Sequence, residues 1–264
     1  MEDHIIQVEN IRKSFTPPIS YRNILKLNFR ERPSVAALKD VSFCVPAGSL
    51  LGILGPNGAG KTTILKTIAT LILPDKGRVT VNSKFLVGRD DEKIKSLIGL
   101  ACGQERSFYW RLTGLQNLKF FAALYGLTKR QADSRLDYLL RLFDIDYADK
   151  RFDSYSSGMK QKLALVRALL HDPRVLLLDE PTKSLDITTA ANLRDFIKKL
   201  VAEHGKTIIY TTHSTHEAQY LGGTFLIMDK GEIKADGRME DLRKKINNPT
   251  ATLEDIFLQL CRKK

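Results

Sequence analysis

The sequence predicts an α/β fold built on a mostly parallel sheet, and three observations carry that prediction. Short apolar runs that read as buried strands alternate with stretches of helical periodicity, the pattern left by strands joined through crossover helices. A glycine-rich turn stands between the first fully apolar run and the helix after it. A long middle segment loses its strand signals altogether and turns helical.

Taken in order, two strand-like runs, "VENIRKSF" and "ALKDVSF", flank "TPPISYRNILKLNFRERPS" (Thr16 to Ser34), whose prolines, aromatics and basic residues suit either a solvated loop or a short basic amphipathic helix facing a membrane. "SLLGILG" (Ser49 to Gly55) is a buried strand, and a helix is expected from Gly60 to about Leu71. The apolar run "LIGLAC" ends just before Gln104. From there to His171, "LTGLQNLKFFAALYGL", "RQADSRLDYLLRLFDI" and "MKQKLALVRALL" predict a helical lobe (104–172) inserted into a sheet lobe (1–103 and 173–237). Strand signals return in "RVLLLDE" (Arg174 to Glu180), "KTIIYTTH" (Lys206 to His213) and "TFLIMD" (Thr224 to Asp229). "DKGEIKADG" (Asp229 to Gly237) then reads as a turn into an antiparallel edge strand, and residues 238–264 as a short basic helical tail.

Composition narrows the function classes. The 264 residues are 43% hydrophobic and 27% charged, enough for a full core, and no apolar run reaches membrane-spanning length. The opening "MEDHIIQVEN" is acidic where a secretory leader is basic, so a cytosolic chain is expected. Cys44, Cys102 and Cys261 form no C-x-x-C pair, which argues against a disulfide framework or zinc ribbon and predicts reduced, mostly buried thiols. The formal charge of +12 points to an anionic partner: nucleic acid, lipid headgroups or substrate.

Three segments carry chemistry. "GPNGAGKTT" (Gly55, Pro56, Asn57, Gly58, Ala59, Gly60, Lys61, Thr62 and Thr63) fits G-x-x-x-x-G-K-[ST] between a strand and a helix, the context of a phosphate-binding P-loop. Its glycines let the backbone wrap phosphate oxygens, Lys61 reaches the β- and γ-phosphates, and the Thr62 hydroxyl suits Mg²⁺. "VLLLDEP" delivers two carboxylates at a strand end; Asp179 suits the Mg²⁺ shell, and Glu180 suits orienting or deprotonating the attacking water. His213 ends another apolar strand, within reach of a γ-phosphate or that water. His216 and Glu217 do not form the H-E-x-x-H zinc arrangement, and His216 is read as helix surface. Gln104 stands where the sheet lobe gives way to the helical lobe, a place from which a neutral amide can reach Mg²⁺ or water. "SYSSGMKQKL" (Ser154 to Leu163) offers a helix N-terminus with serine hydroxyls, which is either an ordinary cap or a second anion site.

In that order the P-loop, Gln104, "YSSGMKQKL", "LLLDEPTKSLD" and His213 resemble the motif series of ATP-binding cassette (ABC) ATPases, over nearly the whole chain from "VENIRKSF" to "LEDIFLQL". The resemblance implies a RecA-like P-loop ATPase domain over 1–237, using ATP and Mg²⁺. It also implies that Phe15 stacks on adenine, and that Ser184, Leu185 and Asp186 form the loop that signals between two ATP sites. In that family two subunits close head to tail, so Ser156, Ser157 and Gly158 are expected to hold the γ-phosphate bound by a second copy of the chain. The signature departs from L-S-G-G-Q: Tyr155 replaces Leu, Ser157 replaces Gly and Met159 replaces Gln, a form resembling exporter ATPases paired with type-2 permeases.

The resemblance further implies a separate membrane permease, a place at the cytoplasmic face of the membrane, and a socket for the permease among Phe108, Tyr109 and Trp110. A basic chain suits that surface, where each nearby Lys or Arg adds roughly 1 kcal/mol of attraction. The Thr16–Ser34 interruption is similar to polysaccharide and teichoic-acid exporter ATPases, and the "LEDIFLQL" ending to drug- and lipid-exporting ones. The rival class, a soluble ABC ATPase acting on nucleic acid or ribosomes, typically has paired cassettes, long insertions or zinc cysteines that are not seen here, so no stable nucleic-acid partner is expected.

Overall fold

A computed structural model describes residues 4–16, 34–102, 108–183 and 185–261. Two sheets organise it. Strands β1 (His4–Phe15), β2 (Val35–Pro46), β4 (Lys76–Val81) and β5 (Phe85–Leu86) form an antiparallel sheet in the order β2-β1-β4-β5. The second sheet runs β10-β9-β3-β8-β7-β6, from β3 (Leu50–Leu54), β6 (Ile98–Cys102), β7 (Val175–Asp179), β8 (Thr207–Thr212), β9 (Thr224–Asp229) and β10 (Glu232–Gly237). Five of its strands are parallel and β10 pairs antiparallel at the edge, as the sequence predicts. Of the Thr16–Ser34 interruption only its two end residues are described, and Phe15 pairs with Val35 across it; 17–33 lie outside the described residues.

The parallel strands are mostly apolar because both faces are covered. One face carries Ile53, Leu177, Ile209 and Leu226, which share a core with Ile64, Leu65 and Ile68 of helix α1 (Lys61–Ile68) and with Ile6, Val8, Val41 and Val79 of the antiparallel sheet. The alternate residues Leu54, Leu176, Leu178, Ile208, Phe225 and Ile227 face a second core with the helices. Helix α1 is therefore clamped between the two sheets. It stops three residues short of the predicted end: Ala69 caps it, and Thr70 takes a left-handed φ of 62° that no helix continues through. Helix α2 (Asp91–Leu97), together with β4 and β5, fills a stretch the sequence reading leaves unassigned.

Between β6 and β7 the chain is helical: α3 (Gly114–Leu124), α4 (Lys129–Leu142) and α5 (Ser157–Leu169). The first two start with capping boxes, Thr113 with Gln116 and Thr128 with Gln131, which fix where each helix begins. Helix α5 lies so close to β6 that a Cβ on Gly99 would strike the Ala168 carbonyl. Helix α6 (Ile187–Ala202) and α7 (Thr215–Leu221) complete the outer layer. In the tail, α8 (Met239–Lys245) and α9 (Leu253–Cys261) bury Leu242, Leu253 and Ile256 in the same core as Phe225 and Ile227. The cysteines are unpaired, but they are not mostly buried as expected: Cys44 is exposed, because alternation along β2 turns it away from the core, and Cys102 and Cys261 are half-buried. Among the described residues no helix is long and apolar enough to cross a membrane.

Candidate functional site

The loop between β3 and α1 is shaped by contacts that exclude side chains. A Cβ on Gly55 would lie 2.5 Å from the Met228 carbonyl, and one on Gly60 2.5 Å from that of Ala37, while Gly60 also takes a φ of 101°. The loop wraps a cavity of about 250 Å³ lined by Phe15, Ala37, Asn57 to Thr63 and Glu180. Phe15, 42% exposed, stands at its mouth with the Lys13 ammonium 5.6 Å from its ring centroid. Lys61 is buried and donates to the Gly55 (2.7 Å) and Pro56 (3.1 Å) carbonyls. Burial pushes its pKa down, opposed by the carboxylates of Glu180 and Asp179.

The two carboxylates at the end of β7 diverge. Asp179 accepts from the Thr62 hydroxyl (2.9 and 3.1 Å) and the Thr211 hydroxyl (2.6 Å). Glu180 leaves the strand through a left-handed φ of 49°, a conformation held by its N–H donating to both the carbonyl (3.1 Å) and hydroxyl (3.0 Å) of Thr211. Its Oε1 lies 3.2 Å from His213 Nδ1 and its Oε2 2.8 Å from the Lys183 ammonium, an ion pair whose angle is poor for a hydrogen bond. Burial alone would raise the Glu180 pKa; Lys183 and His213 outweigh it and hold the carboxyl below its usual range. A base kept ionised, facing a phosphate cradle, can orient or deprotonate water.

Mg²⁺ fits the donor set. Thr62 and Asp179 are hard oxygen donors already within hydrogen-bond distance of each other, beside the cradle where phosphate oxygens would complete the shell. Among the described residues no cluster of three or more His, Cys, Asp or Glu is placed to hold a metal, and a Mg²⁺ shared with substrate phosphates needs none.

The structure brings Phe15, the P-loop, Asp179, Glu180 and His213 together, but not the rest. Ser156 caps α5, accepting from the Met159 N–H at 3.2 Å; it and Ser157 are exposed, with Gly158 beside them, and none lines the cavity. Asp186 caps α6 by accepting from the Thr189 N–H at 2.9 Å; the Thr189 hydroxyl and then this N–H hold its carboxyl below the usual range, and it too lies outside the cavity lining. Gln104 and Ser184 fall outside the described residues. Tyr155 is buried where the commonest signature has Leu; its hydroxyl donates to the Tyr147 carbonyl (2.9 Å) over Gly114, where a Cβ would collide with it.

Three functional neighbours escape sequence reasoning. Thr211 holds Asp179 and Glu180 at once; Lys183 neutralises Glu180; and buried Gln161 on α5 donates to the Pro181 carbonyl (3.2 Å), joining the signature helix to the turn after Glu180. Only the last carries a sequence signal, a polar residue inside an otherwise apolar helix face.

The profile of the family described as "ABC transporter" matches residues 38–183. The chain is 41% identical over 209 residues to the ABC transporter ATP-binding protein NatA of Bacillus subtilis, covering 79% of this chain and 84% of that one. It is 32% identical to the linearmycin resistance ATP-binding protein LnrL of the same species, over 93% of this chain and 73% of that one. A taurine import ATP-binding protein of Roseobacter denitrificans is 38% identical over 74% of this chain and 70% of its own length. Among solved structures, an ATP-binding subunit of an ABC transporter superposes with a TM-score of 0.82 at 26% identity, over 97% of this chain and 99% of its own. A bacterial ABC transporter cassette solved as a dimer gives 0.75 at 25% identity, over 89% and 98%. With the P-loop cradle, the divergent carboxylates and this fold in agreement, the chain belongs to the ABC transporter family, as an ATP-binding ATPase subunit.

Proposed function

We propose that the chain drives an exporter: two copies close head to tail on two Mg-ATP, hydrolyse them, and work a type-2 membrane permease from the cytoplasmic face of the membrane. The observation that carries this reading is the split between cradle and signature. The cavity is lined by the P-loop and Glu180, while the exposed Ser156 and Ser157 and the half-buried Gly158 lie elsewhere on the surface. Such an anion site has no phosphate of its own to hold, and a second copy supplies one at its P-loop. The dimeric cassette of the same fold supports this arrangement.

In the closed pair Lys61 neutralises the phosphates and Glu180 takes the proton of the attacking water, with His213 fixing its carboxylate; Thr62 and Asp179 would hold Mg²⁺, which would supply charge neutralisation. Phe15 offers a face for the adenine. Export is favoured by the drug-resistance relative and the exporter-like signature, against the import relative; a polysaccharide, lipid-linked glycan, lipid or drug is the substrate class. Permease docking is assigned to the exposed Tyr109 and Trp110; Phe108 is buried and stacks on Phe152.

The test is Glu180→Gln protein followed by light scattering after size-exclusion chromatography. Mg-ATP is expected to convert monomer to dimer, and adding Ser157→Arg, which fills the signature with bulk and charge, is expected to abolish that. Dimerisation that survives Ser157→Arg overturns the shared-site reading.

A further inference from the structure

Behind the catalytic loops sits a buried acid that none of these roles uses. Glu217, at the third position of α7, is only 4% exposed. Its sequence setting, Ser214-Thr215-His216-Glu217, reads as a capping box, in which the Glu side chain would accept from the Ser214 N–H. The structure does otherwise. Ser214 N–H donates to the Thr212 hydroxyl (3.0 Å), which leaves both Glu217 oxygens free to turn inward. There Oε1 accepts from the Thr182 hydroxyl and Oε2 from the Thr212 hydroxyl, each at 2.6 Å. These are short, charge-assisted bonds in a buried place, the strong kind.

The two hydroxyls belong to different elements. Thr182 lies in the turn after β7, two residues past Glu180 and next to Lys183; Thr212 ends β8, next to His213. We propose that Glu217 is a positioning residue for ATP hydrolysis: by tying the turn after β7 to the end of β8, its carboxylate sets the spacing at which His213 and Lys183 meet Glu180. The inference rests on the roles given to Glu180 and His213 above. One carboxylate offers an acceptor oxygen to each hydroxyl, whereas an amide offers only one, so that one of the two threonines would have to accept instead of donate and turn its own proton elsewhere.

Glu217→Gln keeps the shape and replaces one acceptor by a donor; Thr182→Val keeps the shape and removes one of the two bonds. Steady-state hydrolysis is measured on the full chain, with thermal unfolding alongside. In Glu217→Gln, kcat is expected to fall at least about tenfold while KM for Mg-ATP stays within about twofold, since the dyad acts in the transition state and not in binding. The double variant is expected to be no slower than the slower single, as two cuts in one link are non-additive. A folded Glu217→Gln protein with kcat within about twofold of wild type overturns the proposal, as do independent, additive losses. Should Glu217→Gln fail to fold, Thr182→Val decides alone on the same kcat and KM criteria. Wild-type protein without ATPase activity would instead overturn the reading of the site itself.

Discussion

Replacing Lys61 with Met separates what the P-loop lysine does for the fold from what it does for ATP. In the structure its ammonium is buried and makes two charge-assisted bonds to loop carbonyls, at 2.7 and 3.1 Å. Bonds of this kind contribute about 1.5–3 kcal/mol each when broken singly. Against that stands the cost of keeping the ammonium out of water, the dominant influence on its lowered pKa. Met removes both, so the two changes offset, and the free protein is expected to hold its melting temperature to about 2–4 °C, which corresponds to about 1 kcal/mol in a domain of this size.

ATP is a different matter. A ligand at a hundred times its Kd stabilises the folded state by about 2.7 kcal/mol, or roughly 5–10 °C. Losing one charge-assisted contact of about 1.5–3 kcal/mol raises Kd roughly 13- to 160-fold. At the same ATP concentration that leaves about 0.3–1.3 kcal/mol, half the wild-type shift or less. The assay is thermal unfolding with and without Mg-ATP, in the Glu180→Gln background so that ATP persists. A Lys61→Met protein that keeps the full ATP-induced shift, or that melts far below its parent without ATP, refutes this account.

Two further outcomes can be checked. Trp110→Ala is expected to lose transport in reconstituted complex while basal hydrolysis stays within about twofold, because the indole is half exposed; equal loss of both activities would place it in the core instead. His171, stacked on Tyr125 with Nε2 3.1 Å from the Ile98 carbonyl, has its pKa lowered from 6.5 chiefly by burial. The unfolded chain therefore binds a proton that the folded one refuses, so its contribution to stability is complete above about pH 6.5 and is lost as pH falls below it, by at most about 1.4 kcal/mol per pH unit. His171→Gln is expected to flatten that limb in denaturant titrations carried from neutral pH down below about pH 6.5, the pKa of an ordinary histidine.

The sequence by itself determined the sheet class, the places of the buried strands along the chain and the chemistry of the P-loop. Those depend on local pattern: continuous apolar runs are needed where a strand is covered on both faces, and glycines where a Cβ would meet Met228 or Ala37 carbonyls. Asp179, Glu180 and His213 were legible for the same reason, because each ends an apolar strand. The tertiary structure decided what depends on distance through space. Parallel pairing of β7 with β8 puts Thr211 between Asp179 and Glu180, and the inward turn of α7 puts Glu217 under both loops. Thr211 and Thr212 read alike in sequence as strand residues. Only packing reveals that one hydroxyl serves the Asp179 carboxylate and the Glu180 N–H and the next an acid on a helix, since hydrogen bonds form between atoms that folding brings together and not between neighbours in the chain.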